Sequence, residues 1–206
     1  MSRGIRAAIA FTALAAVIIQ YFTFVAGAEI GIAGASIRYF SYFTVLTNSL
    51  VAVGWGLNAL RPDSAPGRFF ARDDVRTAVT SYIVLVGVVY HLLLSADHHP
   101  QGIQWFANLL LHYVVPAAVL LEWLLGSPQR TARYSQALVW QIYPIAYTAY
   151  SLIKGAVTGF YPYPFLDVNT LGYSGVAYQL AIMIVAFTLT SLAFIAIGRM
   201  HARLAR

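Results

Sequence analysis

Long apolar runs almost free of charge recur along this 206-residue chain, and they constrain its fold more than any motif does. A run of about 20 such residues is best solvated by the bilayer core, where the backbone must close its own hydrogen bonds as a helix. Six spans are predicted, at about 5–26, 38–60, 76–96, 103–125, 136–158 and 174–198. The expected fold class is therefore all-α, a polytopic membrane protein forming one six-transmembrane-helix domain over 1–206, with hairpin-like connections between neighbouring helices. Composition agrees, with 60% hydrophobic and 10% charged residues, far from the balance of a soluble domain.

The first run, "MSRGIRAAIAFTALAAVII", has the basic start of a signal peptide, and Ala26-Gly27-Ala28 resembles a cleavage site. Its apolar character continues through "QYFTFVAG", longer than a signal core, so it reads as the first span. There are no cysteines, which removes disulfides, thiolate metal sites and cysteine nucleophiles. The net charge of +6 sits in short connections, where anionic headgroups account for it better than nucleic acid does.

Arg3, Arg6, Arg61, Arg68, Arg72, Arg76, Arg130, Arg133, Arg199, Arg203 and Arg206 all fall on one side of the predicted spans. Glu29, Asp97, His98, His99 and Asp167 fall on the other, with Arg38 and Lys154 at adjoining helix ends. The positive-inside rule then puts both termini of the expected multi-pass protein in the cytoplasm. Trp105 and "FYPYPF" are expected at the outer interface, Trp123 and Trp140 at the inner one.

Some polar residues lie inside the spans. Counted along each helix from the outer face, Thr44 lies roughly 9 Å deep, Thr47 and Asn48 roughly 13 to 15 Å, Asn108 roughly 8 Å, His112 roughly 13 Å and His91 roughly 8 Å. Thr44 and Asn48 are four apart, as are Asn108 and His112, so each pair shares a helix face. Tyr143, Tyr147, Tyr150, Ser151 and Lys154 form a polar-aromatic stripe on the fifth span, where Pro144 can bend the helix. Buried hydroxyls and amides commonly serve as packing glue, whereas an ionisable residue within a span is a functional candidate. A histidine beside a hydroxyl also permits a general base with a nucleophile.

At "YFTVLTN" and "NLLLHYVVP" the chain resembles the androgen-induced-gene family of membrane proteins, which includes the androgen-dependent tissue-factor-pathway-inhibitor regulator and bacterial six-span relatives. "IYPIAYTAYSLIKG" followed by "GFYPYPFLDV" adds to the likeness. The resemblance implies an intramembrane hydrolase of fatty acid esters of hydroxy fatty acids, with Thr44 as nucleophile and His112 as base. Thr47 stands where the family has an acidic residue and is a rival nucleophile.

On that reading the partner is a membrane lipid or fatty-acyl ester, and no cofactor or metal is needed. Asn48, Asn108 and the inward tyrosines, Tyr147 among them, are candidate oxyanion donors, with Ser151 beside them. Lys154 or Arg38 either snorkels or holds a substrate carboxylate. "YPYPFLD" is read as a lid whose Asp167 polarises His112 or binds an interfacial cation, or as a stiff interfacial connection. The alternatives are a lipid-binding or transport protein without chemistry, a haem held between His91 and His112, and zinc at "DHH", where two adjacent histidines lack the spacing of a dedicated site.

Overall fold

The computed structural model describes residues 2–126 and 132–204. Arg130 and Arg206, two of the cations used for orientation, lie outside the described residues. Every regular element among them is helical: α1 (Arg3–Ala26), α2 (Gly31–Tyr39), α3 (Phe43–Leu60), α4 (Ala65–Ala71), α5 (Asp73–Val89), α6 (Gly102–Leu109), α7 (Val115–Leu125), α8 (Gln136–Trp140), α9 (Ile142–Thr158) and α10 (Val168–Leu204). Two π-helical turns, Tyr90–Leu94 and Leu110–Val114, extend α5 and join α6 to α7. Five segments are long and apolar enough to cross a bilayer: Arg3–Ala26, Phe43–Leu60, Asp73–Leu94, Gly102–Leu125 and Val168–Arg203. These segments are compatible with an integral membrane protein by their length and composition.

Two expected spans are broken. The second does not run unbroken from Arg38: α2 ends at Tyr39, and Tyr42, extended at φ −82° and ψ 129°, starts α3 afresh. Thr44 is therefore in the first turn of a helix, which corrects the depth counted along a continuous span. The fifth is divided at Gln141, leaving α9 with 17 residues, roughly 26 Å long and near the lower limit for a crossing. Pro144 explains the break, since it has no N–H for the Trp140 carbonyl four residues earlier. The Tyr82 hydroxyl donates to that carbonyl instead, at 2.7 Å.

α1 lies along α3 with Ile9, Ala10, Ala13, Ala16 and Val17 buried. Their helical spacing and small side chains let the two backbones approach closely. Val51 and Trp55 of α3, Val79 and Ile83 of α5 and Val115 and Val119 of α7 complete this core. Gly87 is needed where α5 meets the fourth span, because a Cβ there would stand 2.7 Å from the His112 carbonyl oxygen.

At the other end of the core, Glu122 is fully buried. Its carboxylate accepts from Arg76 Nη2 at 2.7 and 2.8 Å and from Arg6 Nε at 3.0 Å, while Arg6 Nη1 donates to Asn58 Oδ1 at 2.6 Å. This network links α1, α3, α5 and α7. Trp123 and Trp140, expected in an interfacial belt, are instead 1% and 6% exposed. The Trp123 indole donates to Thr77 Oγ1 at 3.0 Å, because neighbouring helices cover the positions that a helix alone would turn to lipid. Trp105 is exposed.

Candidate functional site

A cavity of about 300 Å³ opens between α1, α3, the two π turns and the loop after α9, and Thr44, Asn108 and His112 all line it. Tyr42, Tyr90, Asp97, His98 and Tyr163 complete its polar and aromatic wall. On the far side of Thr44, Tyr90 and Tyr163 lies a smaller apolar chamber of about 70 Å³, floored by Leu180, Met183 and Phe187 of α10.

Thr44 is buried. Being in the first turn of α3, its N–H has no carbonyl one turn back to bond. It donates to the Tyr163 hydroxyl at 3.2 Å, and Thr44 Oγ1 lies 3.4 Å from the same hydroxyl. No hydrogen bond joins Thr44 to His112 among the described residues. Thr47 is fully buried, away from the cavity wall, with Oγ1 3.1 Å from the Tyr143 hydroxyl.

His112 sits in the second π turn, where the widened helix changes the facing of successive side chains. Its Nδ1–H donates to the Asn108 carbonyl at 3.1 Å, which leaves Nε2 as the basic nitrogen. The imidazole stacks on Tyr90 at 3.8 Å between centroids. Tyr90 accepts from Asn108 Nδ2 at 2.8 Å, and its hydroxyl lies 3.2 Å from His98 Nδ1. Burial and the neighbouring His99 hold the His98 imidazole below its ordinary pKa.

The expected oxyanion donors are differently employed. Asn48 Nδ2 donates to the Thr44 carbonyl at 2.9 Å and to the Leu111 carbonyl at 3.2 Å, which uses both of its hydrogens. Asn108 gives one of its own to Tyr90, and its buried Oδ1 has no protein partner among the described residues. The amides thus clamp α3 to the fourth span and hold Tyr90 in place. The first turn of α3 starts at Phe43 and puts the positive end of the helix dipole beside Thr44, whose own N–H is taken by Tyr163.

Tyr147, from the stripe on α9, donates to the Ser41 carbonyl at 2.9 Å, and Ser151 is buried beside it. Lys154 donates to Ser41 Oγ, and Arg38 and Lys154 each lie against the Phe160 ring. Asp167 is placed otherwise than expected: its oxygens accept from Asn169 N at 2.9 Å and Thr170 Oγ1 at 3.1 Å. It caps α10 rather than polarising His112, because the loop ends where that helix begins. His91 is exposed on a shallow groove that His112 also borders, with Nδ1 3.3 Å from the Tyr113 hydroxyl. No group of three or more His, Asp or Glu side chains is gathered for a metal among the described residues.

Tyr90, His98 and Tyr163 were not singled out for the site from the sequence. For Tyr90 the available signal was its position next to His91, and for Tyr163 its place between two prolines in "YPYPF".

Comparison with known proteins finds no matching family, no curated relative and no solved structure of this fold.

Proposed function

We propose that the protein is a six-span bacterial inner-membrane hydrolase of a fatty-acyl ester, with both termini in the cytoplasm, Thr44 as nucleophile and His112 as general base. The chemistry is taken from the resemblance of "YFTV" and "NLLLHYVVP" to the androgen-induced-gene hydrolases. The observation that supports it is the shared cavity: Thr44 and His112 come from different helices and border one space of about 300 Å³, at the lower end of small-ligand sites. For the topology, α9 supplies the sixth crossing. Arg3, Arg61 and Arg68 supply the cytoplasmic charge, while Arg6 and Arg76 are partly neutralised by Glu122 and Arg72 by Asp74.

In the proposed reaction an ester carbonyl enters between Thr44 and His112. Nε2 takes the hydroxyl proton as the Thr44 Oγ–carbon bond forms. The oxyanion lies against the N–H groups that open α3. Breaking the ester C–O bond releases the alcohol, which receives the proton from His112. Water, deprotonated by the same nitrogen, then frees the acid and restores Thr44. The Asn108 Oδ1 acceptor is suited to orient the alcohol or the water.

A second reading, binding of an intact lipid without chemistry, is favoured by the partner of the Thr44 hydroxyl, which is Tyr163 and not His112. Purified protein assayed with fatty esters and a fluorophosphonate probe separates the two. Thr44→Ala is expected to abolish labelling, His112→Ala to slow turnover by about 10²- to 10⁴-fold, and Thr47→Ala to retain activity. Full activity in both Thr44→Ala and His112→Ala overturns the hydrolase, and co-purified lipid that stays intact during incubation supports the binding reading.

A further inference from the structure

A separate polar cluster lies where α9 ends. Gly159, left-handed at φ 70° and ψ −1°, closes that helix, a conformation glycine adopts without strain. The turn brings the Phe160 ring against two cations. Arg38 Cζ is 4.7 Å from the ring centroid and Lys154 Nζ is 4.8 Å from it. Lys154 also donates to Ser41 Oγ and, at 3.5 Å, to the Ile37 carbonyl near the end of α2.

The two cations lack a counter-charge. Arg6, Arg72 and Arg76 each have a carboxylate within ion-pair distance, whereas no carboxylate among the described residues comes that close to Arg38 or Lys154. Both side chains are half-buried, so water screens their repulsion less than at an open surface. An anion bound beside both relieves that repulsion. The guanidinium can offer a fork and the ammonium a point charge, a combination suited to phosphate or carboxylate oxygens.

We propose that Arg38 and Lys154, positioned by Phe160, form a binding site for the anionic headgroup of a membrane lipid, a phosphate or a carboxylate. The aromatic path from this cluster gives the lipid a direction. Tyr42 packs on Phe160 at 6.3 Å and on Tyr163 at 5.7 Å between centroids, and Tyr42 borders the cavity that contains Thr44. A lipid held by its head at Arg38 and Lys154 therefore has its acyl part beside that cavity. The site is one of binding, and it stands whether or not the cavity hydrolyses what it receives.

The test uses the full-length protein in neutral detergent, incubated with phosphatidic acid, oleic acid or neutral diacylglycerol, with retained lipid measured by native mass spectrometry. Both anionic lipids are expected to be retained above diacylglycerol if charge alone is read, and only phosphatidic acid if the site reads phosphate. Arg38→Gln is the informative variant, because the Arg38 side chain makes no hydrogen bond among the described residues and its loss leaves the fold's bonds intact. Retention should fall about fivefold in Arg38→Gln and again in Arg38→Gln/Lys154→Gln, as expected for a basic residue at a lipid headgroup. Arg68→Gln, on α4, should retain lipid as the wild type does. Equal retention of charged and neutral lipids, or undiminished retention by Arg38→Gln with an unchanged melting temperature, overturns the site. Displacement of phosphatidic acid by an equal concentration of inorganic phosphate overturns its assignment to a lipid.

Discussion

Thr44 shows how much one residue's setting depends on where a helix starts. In a continuous span its N–H would bond the carbonyl four residues back. Because α3 begins at Phe43, that N–H is free, and the Tyr163 hydroxyl accepts it at 3.2 Å. Tyr163 is thus a positioning residue in the proposed site: its oxygen holds the Thr44 backbone and its ring separates the larger cavity from the apolar chamber. Tyr163→Phe is expected to keep the fold, to cost about 1 kcal/mol in stability, and to lower ester turnover by less than His112→Ala does. Parallel melting curves and rates would check this, and turnover as low as in His112→Ala would give the hydroxyl a chemical role of its own.

At the scale of elements, the breaks and π turns matter more than the helices they interrupt. Pro144 leaves the Trp140 carbonyl without a helical partner, and Tyr82 from α5 reaches it at 2.7 Å. An element boundary set by local chemistry is thereby tied to a neighbouring helix. Tyr82→Phe strands that buried carbonyl, so a loss of about 1 to 3 kcal/mol is expected, measured as a lower melting temperature in detergent with helix content retained. The π turns Tyr90–Leu94 and Leu110–Val114 lie on adjacent spans and carry Tyr90 and His112, whose rings stack. π turns are frequent at functional sites, and here one faces another across Gly87, where a side chain would strike the His112 carbonyl.

Across the whole molecule, the polar interior divides into two ends. One holds the cavity and the headgroup cluster; the other holds Glu122 with Arg6, Arg76 and Asn58. The Glu122 network joins four helices through charges that neither lipid nor a dry core would otherwise accept. Glu122→Gln leaves Arg76 buried beside a neutral amide, and a destabilisation of about 3 to 5 kcal/mol is expected. Unfolding by heat or denaturant would measure it. Lipid retention at the Arg38 and Lys154 cluster should survive where the folded state is still populated, since that cluster shares no hydrogen bond with Glu122.

The apolar runs by themselves determined that the chain is helical and where five of its long segments lie, because a bilayer accepts few other backbone states and hydropathy is a local property. Counting rise per residue gave Thr44, Asn108 and His112 a common layer; the break before α3 removes that count for Thr44, and it is the packed helices that set all three on one cavity. Tertiary structure decided the rest. Asn48 read as a free donor until the Thr44 and Leu111 carbonyls were seen to take both its N–H groups, and Asn108 until one of its two went to Tyr90 on the neighbouring span. Asp167 read as a partner for His112 until the start of α10 took both its oxygens. Trp123 and Trp140 read as interfacial until neighbouring helices covered them, and Glu122, which closes the sequence of its span, became the centre of an ion network only once α1 and α5 packed against it. Hydropathy depends on what a residue is, whereas hydrogen-bond pairing and burial depend on which helix lies opposite, and only the assembled bundle specifies that.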